Sequence, residues 1–224
     1  YSVEAHQVQK LPVVPDVMEM SDEIIVVADS KYGWSDAVKR LIKSLYTGKV
    51  PGWDLSGIRP AGAPLKTFGG RASGPAPLED LLKHIVWIFT NAVGRRLTDV
   101  ECHSIATKIG DIVVVGGVRR SAEISLFSSS SGGMANAKTG EWWRDNPHFG
   151  MANNSAVWSG GRPSPEEFLT MMTTLIRSKA GEPGIFNRDA ARAQAARTQR
   201  RDASFEFGCN PCGEIILRDR QLCN

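Results

Sequence analysis

"EIIVVADSKYGWSDAVKRLIKSLYTG", residues 23–48, joins two different hydrophobic periods. Its first seven residues are apolar, β-branched and bounded by polar side chains, which predicts a buried strand. From Ser35 the spacing changes. Ser35 is placed as an N-cap with Asp36 in the first turn. Ala37, Val38, Leu41, Ile42 and Leu45 then share one helical face, and Gly48 ends it. A strand that hands over directly to a helix is the repeating unit of an α/β fold with parallel strands.

The alternation continues downstream. Pro77 opens a helix whose buried stripe is Leu78, Leu81, Leu82, Ile85, Val86 and Phe89, with Gly94 past its end. Thr98 and Glu101 form a capping box for a helix that stops at Gly110. "DIVVVGG" (111–117) and "AEISLFS" (122–128) are the second and third expected strands. Ser164, Pro165 and Glu167 open another helix with Phe168, Met171, Met172, Leu175 and Ile176 on its inner face. Two stretches stay as loop: residues 50–77, rich in Gly and Pro but with too many large apolar residues for disorder, and the polar tract 128–150. The arginine-rich "NRDAARAQAARTQRR" (187–201) is expected as a solvated surface helix.

Bulk properties narrow the function classes. The chain has 224 residues, 42% apolar and 23% charged, which suits a globular protein with its own core. A net charge of +3 gives no argument for nucleic acid and suits an anionic small molecule equally well. No run approaches the ~18 apolar residues of a membrane span. With no export signal and four unevenly placed cysteines, a cytoplasmic setting with reduced thiols is expected. Both ends read as cuts through a longer protein, and 1–224 as one partial domain.

Three of the four cysteines fall in "FGCNPCGEIILRDRQLCN", residues 207–224. Cys209 and Cys212 have zinc-knuckle spacing, but only Cys223 could be a third ligand and His148 is far upstream. A redox CxxC belongs at a helix N-terminus, whereas "GEIILRD" reads as strand. Cys102 and Cys209 suit small buried hydrophobes. Cys212 does not, because Asn-Pro before it and Gly-Glu after it make a polar turn. In an extended loop, Asn210, Cys212 and Glu214 would point to one side. An amide, a thiol and a carboxylate on one spot make a reaction centre.

"NPCGEI" resembles the finger-loop motif of ribonucleotide reductases, in the form found in the adenosylcobalamin-dependent, class II enzymes. "YSVEAHQVQKLP", "RPAGAPLKTFGGRASGP", "VVGGVRRSAEISLFS", "HFGMANNSAVW" and "GEPGIFNR" resemble successive blocks of that family, in order. The resemblance implies a portion, about half, of a ten-stranded α/β barrel, with effector-site elements near 24–75 and a finger loop at 208–215. It implies reduction of a ribonucleoside triphosphate to the 2'-deoxy form. Cys212 would carry a thiyl radical, Glu214 would act as base, and Asn210 would hold the sugar hydroxyls. Cys223 would be half of a redox disulfide whose other half lies outside the chain, reset by a thioredoxin-type reductant.

The resemblance further implies a deoxynucleotide effector at Asp29 and Ser30. Gly117, Arg119 and Arg120 would lie in a loop linking effector to substrate, and Arg71 would be available for phosphate. Adenosylcobalamin is the implied cofactor; no metal ligands, nucleic acid or membrane are implied. Two alternatives remain open at this point: a class I reductase large subunit, and a zinc module built on Cys209, Cys212 and Cys223.

Overall fold

A computed structural model describes residues 1–65, 70–114 and 122–223. Its contacts group into two compact units, where the sequence suggests one partial domain. One unit spans Val8–Ser121; the other combines Tyr1–Gln7 with Ala122–Asn224.

In the Val8–Ser121 unit, strand β1 (Glu19–Val26) runs into helix α1 (Lys31–Leu45) and then strand β2 (Lys49–Asp54). The two strands pair in parallel, as a helical crossover requires. The N-cap is Ser30, not Ser35: the Ser30 hydroxyl accepts from the Gly33 amide at 3.0 Å. Gly33 lets the helix start this early, because a Cβ there would lie 2.3 Å from the Ala28 carbonyl oxygen. β1 is buried on one face only. Ile25, and Val27 just past its end, are inside, while Met20, Ile24 and Val26 are exposed.

β2 lies in the stretch expected as loop. Its register with β1 jumps between Met20↔Val50 and Ile24↔Gly52, opposite Pro51, which has no amide to give the ladder. That break in the pattern hides the strand. Helix α2 (Ala76–Asn91) buries Leu78, Leu81, Leu82, Ile85 and Phe89, as its spacing predicts. Together with Leu41 and Leu45 of α1 they form the centre of this unit's core.

Helix α3 (Asp99–Val114) carries the expected capping box. Thr98 N donates to Glu101 Oε2 at 2.7 Å, and Glu101 N donates to Thr98 Oγ1 at 3.2 Å. The helix does not stop at Gly110. Residues 111–114, expected to begin a strand, continue it, with Ile112 packed on the core and Val113 exposed. Helical period overrides the β-branched run here. The rest of that expected strand, 115–117, lies outside the described residues.

In the second unit, strands β3 (Glu123–Ser128), β4 (Ala152–Trp158) and β5 (Gly184–Asn187) form a parallel sheet in that order. Residues 1–3 lie beside β3, with Val3 N donating to Leu126 O at 2.8 Å. The tract before β4 holds two single helical turns and a 3-10 turn. Helix α4 (Pro165–Ser178) connects β4 to β5 and has the Ser164/Glu167 capping box. Of its expected inner face Met171 is buried, whereas Phe168 and Ile176 are exposed. Helix α5 (Arg188–Thr198) follows β5 and lays Ala195 on a cluster of Ile124, Leu126, Val157, Phe186 and Phe207. A short antiparallel hairpin, β6 (Gly208–Cys209) and β7 (Ile216–Leu217), ends the unit. No helix among the described residues is long and apolar enough to cross a membrane.

Candidate active site

The hairpin is closed by the turn 210–215, and Asn210 organises that turn. Asn210 is only 2% exposed. Its backbone amide donates to Ile215 O at 3.0 Å, and its side-chain Oδ1 accepts from Ile215 N at 3.0 Å. Its Nδ2 donates to Glu214 Oε1 at 2.7 Å and reaches Cys223 Sγ at 3.6 Å. A buried amide satisfied on both sides is held in a single orientation.

The turn is not extended, so the alternation expected for Asn210, Cys212 and Glu214 does not apply. Gly213 sits at φ +82°, in the left-handed region that glycine enters without a Cβ penalty. As a result Asn210 turns inward, while Cys212 and Glu214 are exposed. The structure brings Asn210, Glu214 and Cys223 together by hydrogen bonds. Cys212 stands next to that group at the tip, with no hydrogen bond to it.

Cys212 borders a cleft of about 370 Å³ on the β3–β4–β5 sheet, whose other walls include Ile124, Asn153, Ser155, Glu182 and Cys209. The tip is fastened to the sheet by Asn153, whose Nδ2 donates to Pro211 O at 2.7 Å. The base is fastened by Arg188. Its Nε donates to Phe207 O at 2.8 Å, and its guanidinium grips Glu4 with both η nitrogens at 2.9 and 2.7 Å. Sequence reading assigns no role to Asn153, Arg188 or Glu4. Arg188, like Ala195, is buried in a helix expected to be a solvated surface helix.

The remaining cysteines fit structural roles. Burial pushes the Cys209 thiol up, and burial with the nearby Glu101 and Asp99 charges pushes Cys102 up to about 12. Cys209 is buried, whereas Cys212 and Cys223 are exposed. Among the described residues these three sulfurs do not gather at ligand distance. The one group that does is Glu4, His6 and Glu206. That group already surrounds the Arg188 guanidinium, with Glu206 at 3.0 Å, so its negative charge is matched by a fixed cation.

The residues expected at the effector site have partners within their own unit. Asp29 Oδ2 accepts from Arg59 Nε at 2.6 Å, and Ser30 caps α1. Arg71 Nη1 donates to Gly62 O at 2.9 Å. Gly117, Arg119 and Arg120 lie outside the described residues.

Comparison with known proteins gives the chain's relatives. Residues 16–89 match the family described as B12-dependent ribonucleotide reductase, insertion domain. The adenosylcobalamin-dependent ribonucleoside-triphosphate reductase of Levilactobacillus brevis is 34% identical over 206 residues, covering 88% of this chain and 27% of that protein. The protein of the same name from Lactobacillus leichmannii is 35% identical over 210 residues, again 88% of this chain and 27% of the relative. A crystal structure of a B12-dependent (class II) ribonucleotide reductase superposes with a TM-score of 0.75 at 26% identity, covering 97% of this chain and 34% of that one.

These likenesses place the chain among the B12-dependent, class II ribonucleotide reductases, and set aside the class I alternative. The more particular likeness is to the adenosylcobalamin-dependent ribonucleoside-triphosphate reductases. The chain spans 27–29% of the length of the first of these relatives.

Proposed function

We propose that this chain is part of an adenosylcobalamin-dependent ribonucleoside-triphosphate reductase and carries its reaction centre on the turn 210–215. The observation that supports this most is the hydrogen-bonded group Asn210–Glu214–Cys223 beside the exposed thiol of Cys212.

The thiols present suit the cofactor. An exposed thiol on a turn can be approached by a bulky group, whereas Cys209 is buried and Cys102 half-buried. Adenosylcobalamin, when bound, supplies the radical. The chain's own residues do the rest. Cys212, as a thiyl, takes the 3'-hydrogen of the ribose and returns it later. Glu214 takes the 3'-hydroxyl proton, which needs its carboxylate within hydrogen-bond reach of the sugar. Asn210 sets the direction of that carboxylate through its 2.7 Å bond. Cys223 and a thiol outside this chain give two electrons and two protons, so that the 2'-hydroxyl leaves as water and C2' gains a hydrogen, and close a disulfide, which a thioredoxin-type protein reopens by exchange.

In this reading the β3–β4–β5 sheet belongs to a ten-stranded barrel, with the hairpin as its finger loop. Elements near 24–75, including Asp29 and Ser30, receive a deoxynucleotide effector whose sugar competes with Arg59 for the Asp29 carboxylate. Gly117, Arg119 and Arg120 pass effector identity to the substrate base, a coupling that requires two states of that loop. The enzyme works in the cytoplasm. The test is Cys212→Ala in the full-length protein carrying this segment. Ribonucleotide reduction should fall to background while effector binding is unchanged; turnover retained with adenosylcobalamin and a dithiol would overturn the reading.

A further inference from the structure

The hairpin that carries Cys212 cannot hold its own position. It has two ladder pairs, Gly208↔Leu217 and Cys209↔Ile216, and a two-stranded hairpin of that size is marginal by itself. Its base is fixed from outside by Arg188 on Phe207 O and by the close approach of Gly208 to Leu126, where a Cβ would lie 2.9 Å from Cδ1. β7 is held by Arg201 Nη1 donating to Ile216 O. These contacts act at the two strands. The residue preceding Cys212 is held by a single side chain, through the 2.7 Å bond from Asn153 Nδ2 to Pro211 O.

Asn153 is itself closely set. It is the second residue of β4, opposite Ile124 of β3. The residues on either side of it are anchored by a buried ion pair. Lys138 Nζ donates to the carbonyl of Ala152 and pairs with Glu182 at 2.9 Å. Glu182 Oε2 accepts from the backbone amide of Asn154 at 3.1 Å. The Lys138 side chain is 7% exposed and that of Glu182 17%, so the pair is shielded from solvent. The backbone that presents the Asn153 amide is therefore fixed on both sides before the amide reaches the turn.

We propose that Asn153 is a positioning residue for Cys212: it transfers the rigidity of the Lys138–Glu182 anchor to the turn and sets where the thiol sits over the cleft. The proposal rests on the reading of Cys212 as the reacting thiol. It adds a residue outside the Asn210–Cys212–Glu214 group, on a different strand. A misplacement of about 1 Å at a reacting centre can cost on the order of 100-fold in rate.

The test uses the full-length protein with Asn153→Ala, Asn153→Asp and, in parallel, Cys212→Ala. Asn153 is exposed, so neither of its variants opens a cavity. Asn153→Ala should lower kcat by roughly 10- to 100-fold while KM, effector affinity and Tm stay near wild type. Amide hydrogen exchange should quicken in peptides covering 210–215 and stay unchanged in β3. Asn153→Asp should be at least as damaging as alanine, because a carboxylate oxygen would face the Pro211 carbonyl. Wild-type kcat and exchange in Asn153→Ala, with Cys212→Ala inactive, would overturn the positioning role alone. A kcat loss matched by equal losses in effector affinity and Tm would show a merely structural residue and also overturn it. Full activity of Cys212→Ala would instead remove the reading beneath it.

Discussion

Arg188 and Glu4 lie 184 positions apart and form a bidentate ion pair at 2.7 and 2.9 Å, with both side chains less than a tenth exposed. Removing one partner of such a pair strands the other charge in the interior, at a cost of about 3–5 kcal/mol. Arg188→Ala in the full-length protein should lower the denaturation midpoint accordingly, and Glu4→Ala should lower it less, because Glu206 stays 3.0 Å from Arg188. Burial alone would raise the Glu4 carboxyl, but the hydrogen bonds and charge of Arg188, with Ser2 and His6, bring it below its ordinary 4.5. A carboxyl held low by the fold contributes its stability above the unfolded value, and that stability is lost as pH falls through the folded one. The pair should therefore hold its full contribution at neutral pH and lose it only below about pH 4.5. Denaturant titrations across pH 3–7 should show this acid limb in the wild type and a shallower one in Glu4→Gln.

The four thiols should separate by reactivity. Cys212 and Cys223 are exposed, Cys209 is buried with its thiol pushed up, and Cys102 is pushed up to about 12. Since the thiolate is the nucleophile, iodoacetamide at pH 8 under native conditions should label Cys212 and Cys223 first. Peptide mass spectrometry reads the order. Unfolding in denaturant should bring all four to similar rates.

Asn210→Ala would leave the Ile215 amide and the Glu214 carboxylate without their shared partner. Losing a hydrogen bond whose remaining partner can turn to water costs about 0.5–1.5 kcal/mol, or roughly 2- to 13-fold if it is all expressed in the rate. The expected result is that loss in kcat with effector binding unchanged. Asn210→Asp should be worse, because it sets a second carboxylate against Glu214.

Cys223→Ser should abolish single and multiple turnover alike. One reduction per preloaded enzyme would be lost along with thioredoxin-supported cycling if Cys223 is a direct electron donor. Normal multiple turnover would remove Cys223 from the redox pair.

What the sequence discloses depends on the range of the interaction. Both capping boxes, Thr98/Glu101 and Ser164/Glu167, act across three residues and are readable directly. The stripe on α2 is readable because its period repeats over four turns. β2 and β4 are not, since "KVPGWD" contains Pro and Gly and "ANNSAVW" has two amides directly after its first residue. Each is a strand because of a neighbour that is distant in sequence. The residues 111–114 look like strand but extend a helix already nucleated upstream.

The same holds at the site. The motif around Cys212 is recognisable as a string of residue types. Its geometry depends on the positive φ of Gly213, which turns Asn210 inward and leaves Cys212 at the tip. The anchors are long-range. Nothing near Arg188 in sequence indicates that Glu4 will meet it, and Asn153 reaches Pro211 across 58 positions.

The pairing of residues 1–3 with β3 has a topological consequence. Ser2 lies beside Leu126 in parallel, so the segment joining them, residues 8–121, is in formal terms one crossover connection. A parallel crossover needs only a dozen or so residues. This one instead carries a separate core and contains the whole 16–89 family match. A segment inserted between neighbouring strands can be gained, exchanged or lost during descent without breaking a ladder of the host sheet. The turn that carries Cys212 and the inserted unit can thus follow separate evolutionary histories on one polypeptide.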